Sequence, residues 1–143
     1  LGIPADGLII SKNKFGDRTF FGDNWPNRAH HWLPVIDHPS DKATVTFTVI
    51  APAHYNVIAN GSRQEESYIN HKQRLTRWHE AVEIPTKVMV IGLARFAIHY
   101  DDIVNQIPVE TWVFPQNKEI GFTAYNTASK ILDFFSSHIA PYP

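Results

Sequence analysis

The chain has 143 residues, with 13 Lys and Arg against 14 Asp and Glu, 43% hydrophobic residues, 10 prolines and no cysteine. This length suits one globular unit or parts of two, and a chain of this size buries enough surface to form a core without covalent staples. The missing cysteine excludes disulfide frameworks, thiolate zinc sites and cysteine nucleophiles. Scattered basic residues and a net charge of -1 argue against a nucleic-acid partner, and no stretch approaches the roughly 18 apolar residues of a membrane span.

Residues 1–39 are rich in Gly, Pro, Asn and Asp and read as loops with one or two short strands around Leu8-Ile9-Ile10 and Phe20-Phe21. From Ala43 to Ile50 the sequence alternates. Ala43, Val45, Phe47 and Val49 fall on one face and Thr44, Thr46 and Thr48 on the other, which predicts a strand with one buried side, ended by Pro52. Tyr55 to Ala59 predicts a second strand. Asn60-Gly61 then offers the two positive-φ positions of a tight type I′ turn, so Ser62 to Asn70 is expected to return antiparallel.

Gln73 to Glu80 is polar on both faces and is expected at an edge or under a loop. The run Val88 to Leu93 is continuously apolar and too short for a stable helix, so it predicts a strand covered on both faces. Arg95 to Tyr100 and Ile107 to Phe114 complete a series of short strands with a sandwich-like signature. After Pro115 the period changes. Tyr125, Ala128, Leu132, Phe135 and Ile139 recur at spacings of three and four, predicting one helix with one apolar stripe. A β unit followed by a lone helix suggests a domain boundary near residues 103–110.

Several residue clusters carry possible chemistry. His30, His31, Asp37, His38 and Asp41 form the densest set of potential metal ligands, but no recognised ligand spacing is present, and packing beside Trp32 accounts for the histidines equally well. His79-Glu80 starts like H-E-x-x-H, yet Ala81, Val82 and Glu83 follow and Pro85 opposes a continuing helix. No G-x-S-x-G elbow and no Gly-rich phosphate loop occurs. Asn60-Gly61-Ser62 fits a glycosylation sequon, although the turn explains the same residues. Trp25, Trp32, Trp78 and Trp112 are either a sugar-stacking platform or dispersed packing residues. From the residues alone, a stand-alone β-sandwich module binding peptide or carbohydrate, without enzymatic activity, remains open.

Longer segments are more specific. Gly2-Ile3-Pro4-Ala5-Asp6-Gly7-Leu8, Asp23-Asn24-Trp25-Pro26-Asn27-Arg28-Ala29-His30-His31-Trp32-Leu33-Pro34 and Asp37-His38-Pro39-Ser40-Asp41-Lys42-Ala43 resemble the N-terminal domain of the aminopeptidase N family of zinc metallopeptidases. The similarity continues through Val57 to Gly61, Glu83-Ile84-Pro85 and the run at Val88. It implies a mainly β fold: a saddle-like antiparallel β-sandwich, present in part over residues 1–106. Residues 107–143 would then supply one strand and one helix that begin a thermolysin-like α+β catalytic domain, with Pro141-Tyr142-Pro143 just after the helix.

The resemblance further implies a parent enzyme that removes N-terminal residues from peptides with zinc. The family's G-x-M-E-N and H-E-x-x-H motifs do not occur in these 143 residues. The chain is therefore expected to be a non-catalytic internal piece that needs no metal of its own, inactive alone and docked on a catalytic domain as its intramolecular partner. Leu1 in the place of Met fits the same expectation. The family's one functional element in this domain is a polar triplet that helps hold the substrate's free α-amino group. Counting back from Asp37 carries it onto Asp23, Asn24 and Trp25, where Asp23 supplies the charged acceptor and Trp25 replaces the usual acid or amide. Without its catalytic domain, the stripe Tyr125, Leu132, Phe135 and Ile139 would be left to drive self-association.

Overall fold

The structure is a computed structural model that describes residues 6–142. Leu1, the Gly2 to Ala5 part of the first resembling segment, and Pro143 lie outside the described residues. The chain divides into two compact units, Leu1–Arg95 and Phe96–Pro143.

The first unit contains two antiparallel sheets. Strands β1 (Leu8–Lys12), β2 (Arg18–Gly22), β4 (Asn56–Ala59) and β7 (Ile91–Ala94) form one sheet in the order β1-β2-β7-β4. The other sheet has β6 (Gln73–Pro85) between β3 (Lys42–Pro52) and β5 (Ser62–Asn70). In β3 the predicted alternation holds: Phe47 is buried, Val45 and Val49 are half-buried, and Thr44, Thr46 and Thr48 face solvent. Ala43 is exposed because a register shift falls between it and Val45. Pro52 closes the strand, and the edge position tolerates its missing N–H.

The two sheets share a core. Trp78 on β6 donates its indole N–H to the Val57 carbonyl on β4 at 3.0 Å. Phe47 on β3 stacks on Trp32 with ring centroids 6.1 Å apart. Val57, Met89, Leu93 and Ala94 are buried with them.

Three expectations for the first unit do not hold. Asn60-Gly61 does not close a hairpin, because β4 pairs with β7 and β5 pairs with β6 in the other sheet. Gly61 alone of the two has positive φ, at 80°, and a Cβ there would run into the His79 carbonyl. Asn60 instead turns its carboxamide to the backbone, accepting from Val90 N–H at 2.7 Å and donating to the Val88 carbonyl at 2.9 Å.

Strand β6 is central rather than an edge. Its inward polar residues are Arg74 and Thr76, and Arg74 is buried only because its guanidinium bonds Glu66 at 3.1 Å and the Tyr55 carbonyl. The apolar run from Val88 is not a strand throughout. Thr86–Val88 forms a 3-10 turn and pairing starts at Ile91.

In the second unit, β8 (Ala97–Val104) and β9 (Ile107–Val113) form a hairpin. Its two connecting residues, Asn105 and Gln106, take φ of 51° and 70°, the pair of positive values expected at Asn60-Gly61. The helical segment is divided into α1 (Lys118–Tyr125), packed on β9, and α2 (Ala128–His138), packed on β8. Gly121 makes the α1 contact possible, since a Cβ there would lie 2.7 Å from Val113 Cγ1. The break at Asn126 and Thr127 changes the phase of the apolar stripe. Ala128 and Leu132 are half-buried together with Ser129 and Ser136, whereas Tyr125, Phe135 and Ile139 are exposed alongside Ile131 and Phe134.

Candidate functional site

The segment implied to hold an amine leaves β2 at Gly22 and runs to Asp37. Asp23 is fixed by its backbone, which donates to the Gly7 carbonyl at 2.6 Å. Its carboxylate bonds Arg28 at 3.0 Å, and Arg28 also lies 3.6 Å from Asp6. Two carboxylates around one guanidinium leave a formal charge of -1, and all three groups are partly exposed. That arrangement suits a further cation.

Asn24 is the anchor of the segment. It is 1% exposed. Its amide donates to the carbonyls of Thr86 at 3.1 Å and Met89 at 2.6 Å, and its oxygen accepts from the Trp32 indole at 2.8 Å. Donors and acceptor are both engaged, so the side chain holds the loop to the turn at residues 86–89. Trp25 next to it is 66% exposed, with Lys87 Nζ 5.2 Å from its ring centroid. The three residues thus sit together in sequence and divide in environment: a paired surface carboxylate, a buried amide and an open indole.

Beyond them, the Arg28 N–H donates to the Asn24 carbonyl at 2.9 Å, and Ala29–His31 forms a 3-10 turn. Asp37 closes the loop. Its side chain is 9% exposed, bonds the His30 ring at 2.9 Å and accepts from the Thr86 hydroxyl at 3.2 Å. Burial alone would raise the Asp37 carboxyl, but hydrogen bonds from the His30 ring and N–H, Thr86 and the Ala29 backbone outweigh it and hold the group below the usual carboxylate range.

The other candidate residues disperse. His38 bonds Ser40 at 2.7 Å, and His79 lies on a strand with its ring 2.9 Å from the Thr46 hydroxyl. Among the described residues no three His, Cys, Asp or Glu side chains gather to hold a metal ion. In this loop His30 is committed to Asp37 and Asp23 to Arg28, a donor set that does not fit the zinc that the resemblance implies for the parent. The tryptophans also serve separate ends, with Trp32 and Trp78 in the core, Trp25 open, and Trp112 in the second unit bonded to Glu110. Among the described residues no helix is long and apolar enough to cross a membrane.

Thr86, Lys87, Met89, Arg28 and Asp6 had no signal in the sequence as site residues. The Asn24 contacts join positions 62 and 65 residues apart, and no local pattern reports such pairing.

The first unit is thus an antiparallel β scaffold carrying a polar loop anchored at both ends. Residues 13–88 match the Peptidase M1 N-terminal domain, and the chain belongs to that family. It is similar to glutamyl aminopeptidase of Homo sapiens, 27% identical over 123 residues, and of Sus scrofa, 26% identical over 123 residues. Glutamyl aminopeptidase of Mus musculus is 23% identical over 118 residues. Each match covers 82% of this chain and 12% of the relative, so the chain spans about an eighth of the length of these curated relatives.

Proposed function

We propose that this chain is the supporting β portion of a zinc-dependent aminopeptidase, and that it lines the pocket for the free amine of a peptide substrate. The observation that carries the reading is the family match over residues 13–88, a span that includes the anchored loop. In it, Asp23 is the charged acceptor for the substrate ammonium, Trp25 is the apolar wall beside it, and Asn24 fixes both by its buried bonds. Residues 1–106 are assigned to the N-terminal β domain and 107–143 to the start of the catalytic domain, which falls between the paired strands β8 and β9.

Peptide cleavage itself would be carried out by a catalytic domain, and the described side chains of this chain offer that domain no zinc ligand set. The chain by itself is proposed to be inactive. Of the stripe Tyr125, Leu132, Phe135 and Ile139 proposed for self-association when the catalytic domain is absent, Tyr125, Phe135 and Ile139 are exposed and Leu132 is half-buried.

Two measurements test the reading. Titration of the chain with leucinamide, a free amine, is expected to shift the backbone resonances of Asp23 and Trp25, while N-acetyl-leucinamide leaves them in place. Equal response to both, or an undiminished leucinamide response in Asp23→Asn, overturns the amine role. Assay of aminoacyl-nitroanilide hydrolysis is expected to give no turnover, and zinc-dependent turnover by the chain alone would refute the supporting role.

A further inference from the structure

We propose that Thr86, at the head of the 3-10 turn Thr86–Val88, is a positioning residue for the amine-binding segment, acting through Asn24 and Asp37. The inference rests on the amine-binding reading of Asp23 and Trp25.

Residues 86–89 touch the loop at three separate points. The Thr86 carbonyl and the Met89 carbonyl receive the two donors of Asn24, between Asp23 and Trp25. The Thr86 hydroxyl donates to Asp37, at the far end of the loop. Lys87 lies over the ring of Trp25. Both ends of the loop are thereby fixed to one turn, and the turn is itself closed by the Met89 N–H donating to the Thr86 carbonyl at 3.1 Å.

Thr86 is 2% exposed, too deep to meet a ligand directly. Its hydroxyl ties the turn to Asp37, and Asp37 in turn orders His30 through ring and backbone. Small displacements weaken a charged pair between a carboxylate and an ammonium, because such a contact needs its partners held within about 0.5 Å. A buried threonine with two roles, carbonyl to Asn24 and hydroxyl to Asp37, provides that constraint from 62 residues away.

The test compares Thr86→Val, which keeps the shape and removes the hydroxyl, with Thr86→Ser, which keeps the hydroxyl. In Thr86→Val the Arg28 and Trp32 amides are expected to exchange about tenfold faster and leucinamide to bind about tenfold more weakly, the lower end of the range for one hydrogen bond to a charged group. Thr86→Ser is expected to restore both. Asp37→Asn perturbs the same link from the other side and gives the same two readouts if Thr86→Val does not fold. Unchanged exchange in the Val and Asn variants overturns the positioning role. If exchange responds but the wild-type chain binds leucinamide and N-acetyl-leucinamide alike, the amine reading has failed, and with it the assignment of Thr86 to that site.

Discussion

The carboxamide of Asn60 pairs with the backbone of Val90 as a strand residue would, accepting its N–H at 2.7 Å while donating to the neighbouring Val88 carbonyl at 2.9 Å. It extends the ladder between β4 and β7 by a side chain at the point where the main chain departs for the other sheet. Asn60→Ala strands a part-buried N–H and is expected to lower stability by about 2 kcal/mol in urea unfolding. A loss within about 0.5 kcal/mol of zero would show that the pairing is incidental. The same engagement predicts that Asn60 carries no glycan when the chain is expressed through a secretory route, which mass spectrometry checks.

Trp78 separates ring packing from its hydrogen bond. Trp78→Phe keeps most of the buried area and removes the N–H to Val57, so a loss of about 1 kcal/mol is expected. Trp78→Ala empties the space between the sheets and is expected to cost about 3–5 kcal/mol. Equal losses in the two variants would assign the whole effect to the bond and contradict the shared core.

Asp37 gives a pH dependence of known sign. Its folded-state pKa lies below the ordinary value, so the stabilisation is fully present above the unfolded value of about 3.9 and is lost as pH falls through the lower folded value. Wild type is expected to exceed Asp37→Asn by about 1 kcal/mol at pH 6, with the half-exposed His30 partner discounted, and the gap is expected to narrow once pH falls below about 3.9 and to close only below the lower folded value. A gap that widens on acidification would reverse the sign and refute the account.

Gly121→Ala sets two effects against each other. Alanine gains about 1 kcal/mol of helix propensity in α1, but its Cβ would approach Val113 Cγ1 to 2.7 Å, an overpacking that costs about 1–3 kcal/mol. The net is expected to be destabilising. Val113→Ala in the same chain should recover the loss, and a double-mutant cycle with no coupling would place the strain elsewhere.

The exposed side of α2 carries Ile131, Phe134, Phe135 and Ile139, and Ile139 is 76% exposed. Sedimentation of the chain at about 100 μM is expected to show species heavier than one copy, and Phe135→Asp with Ile139→Asp to abolish them. A strictly single-copy wild type at that concentration would count against association through this surface.

The parts of the fold that were legible in the sequence are those whose cause is local. The alternation in β3 needs only one buried face, and its side chains distribute accordingly. The central position of β6 was not legible, because the burial of Arg74 depends on Glu66 and the Tyr55 carbonyl, neither of them an apolar signal. Asn60-Gly61 has the composition of a two-residue hairpin, yet Asn60 gains two backbone bonds by reaching Val88 and Val90, just before β7, and the positive-φ pair appears at Asn105-Gln106 instead. At the candidate site, Asp23, Asn24 and Trp25 came from family resemblance. The distinction between the buried Asn24 and the open Trp25 depends on the turn at residues 86–89, which chain distance conceals.

Only Asn60 and Gly61 separate β4, in the four-stranded sheet, from β5, in the three-stranded one. A crossing this short leaves no slack for one sheet to melt while the other stays folded. Amides of Val57 and Trp78 should therefore open together in native-state exchange, at one free energy, making the first unit a single cooperative element.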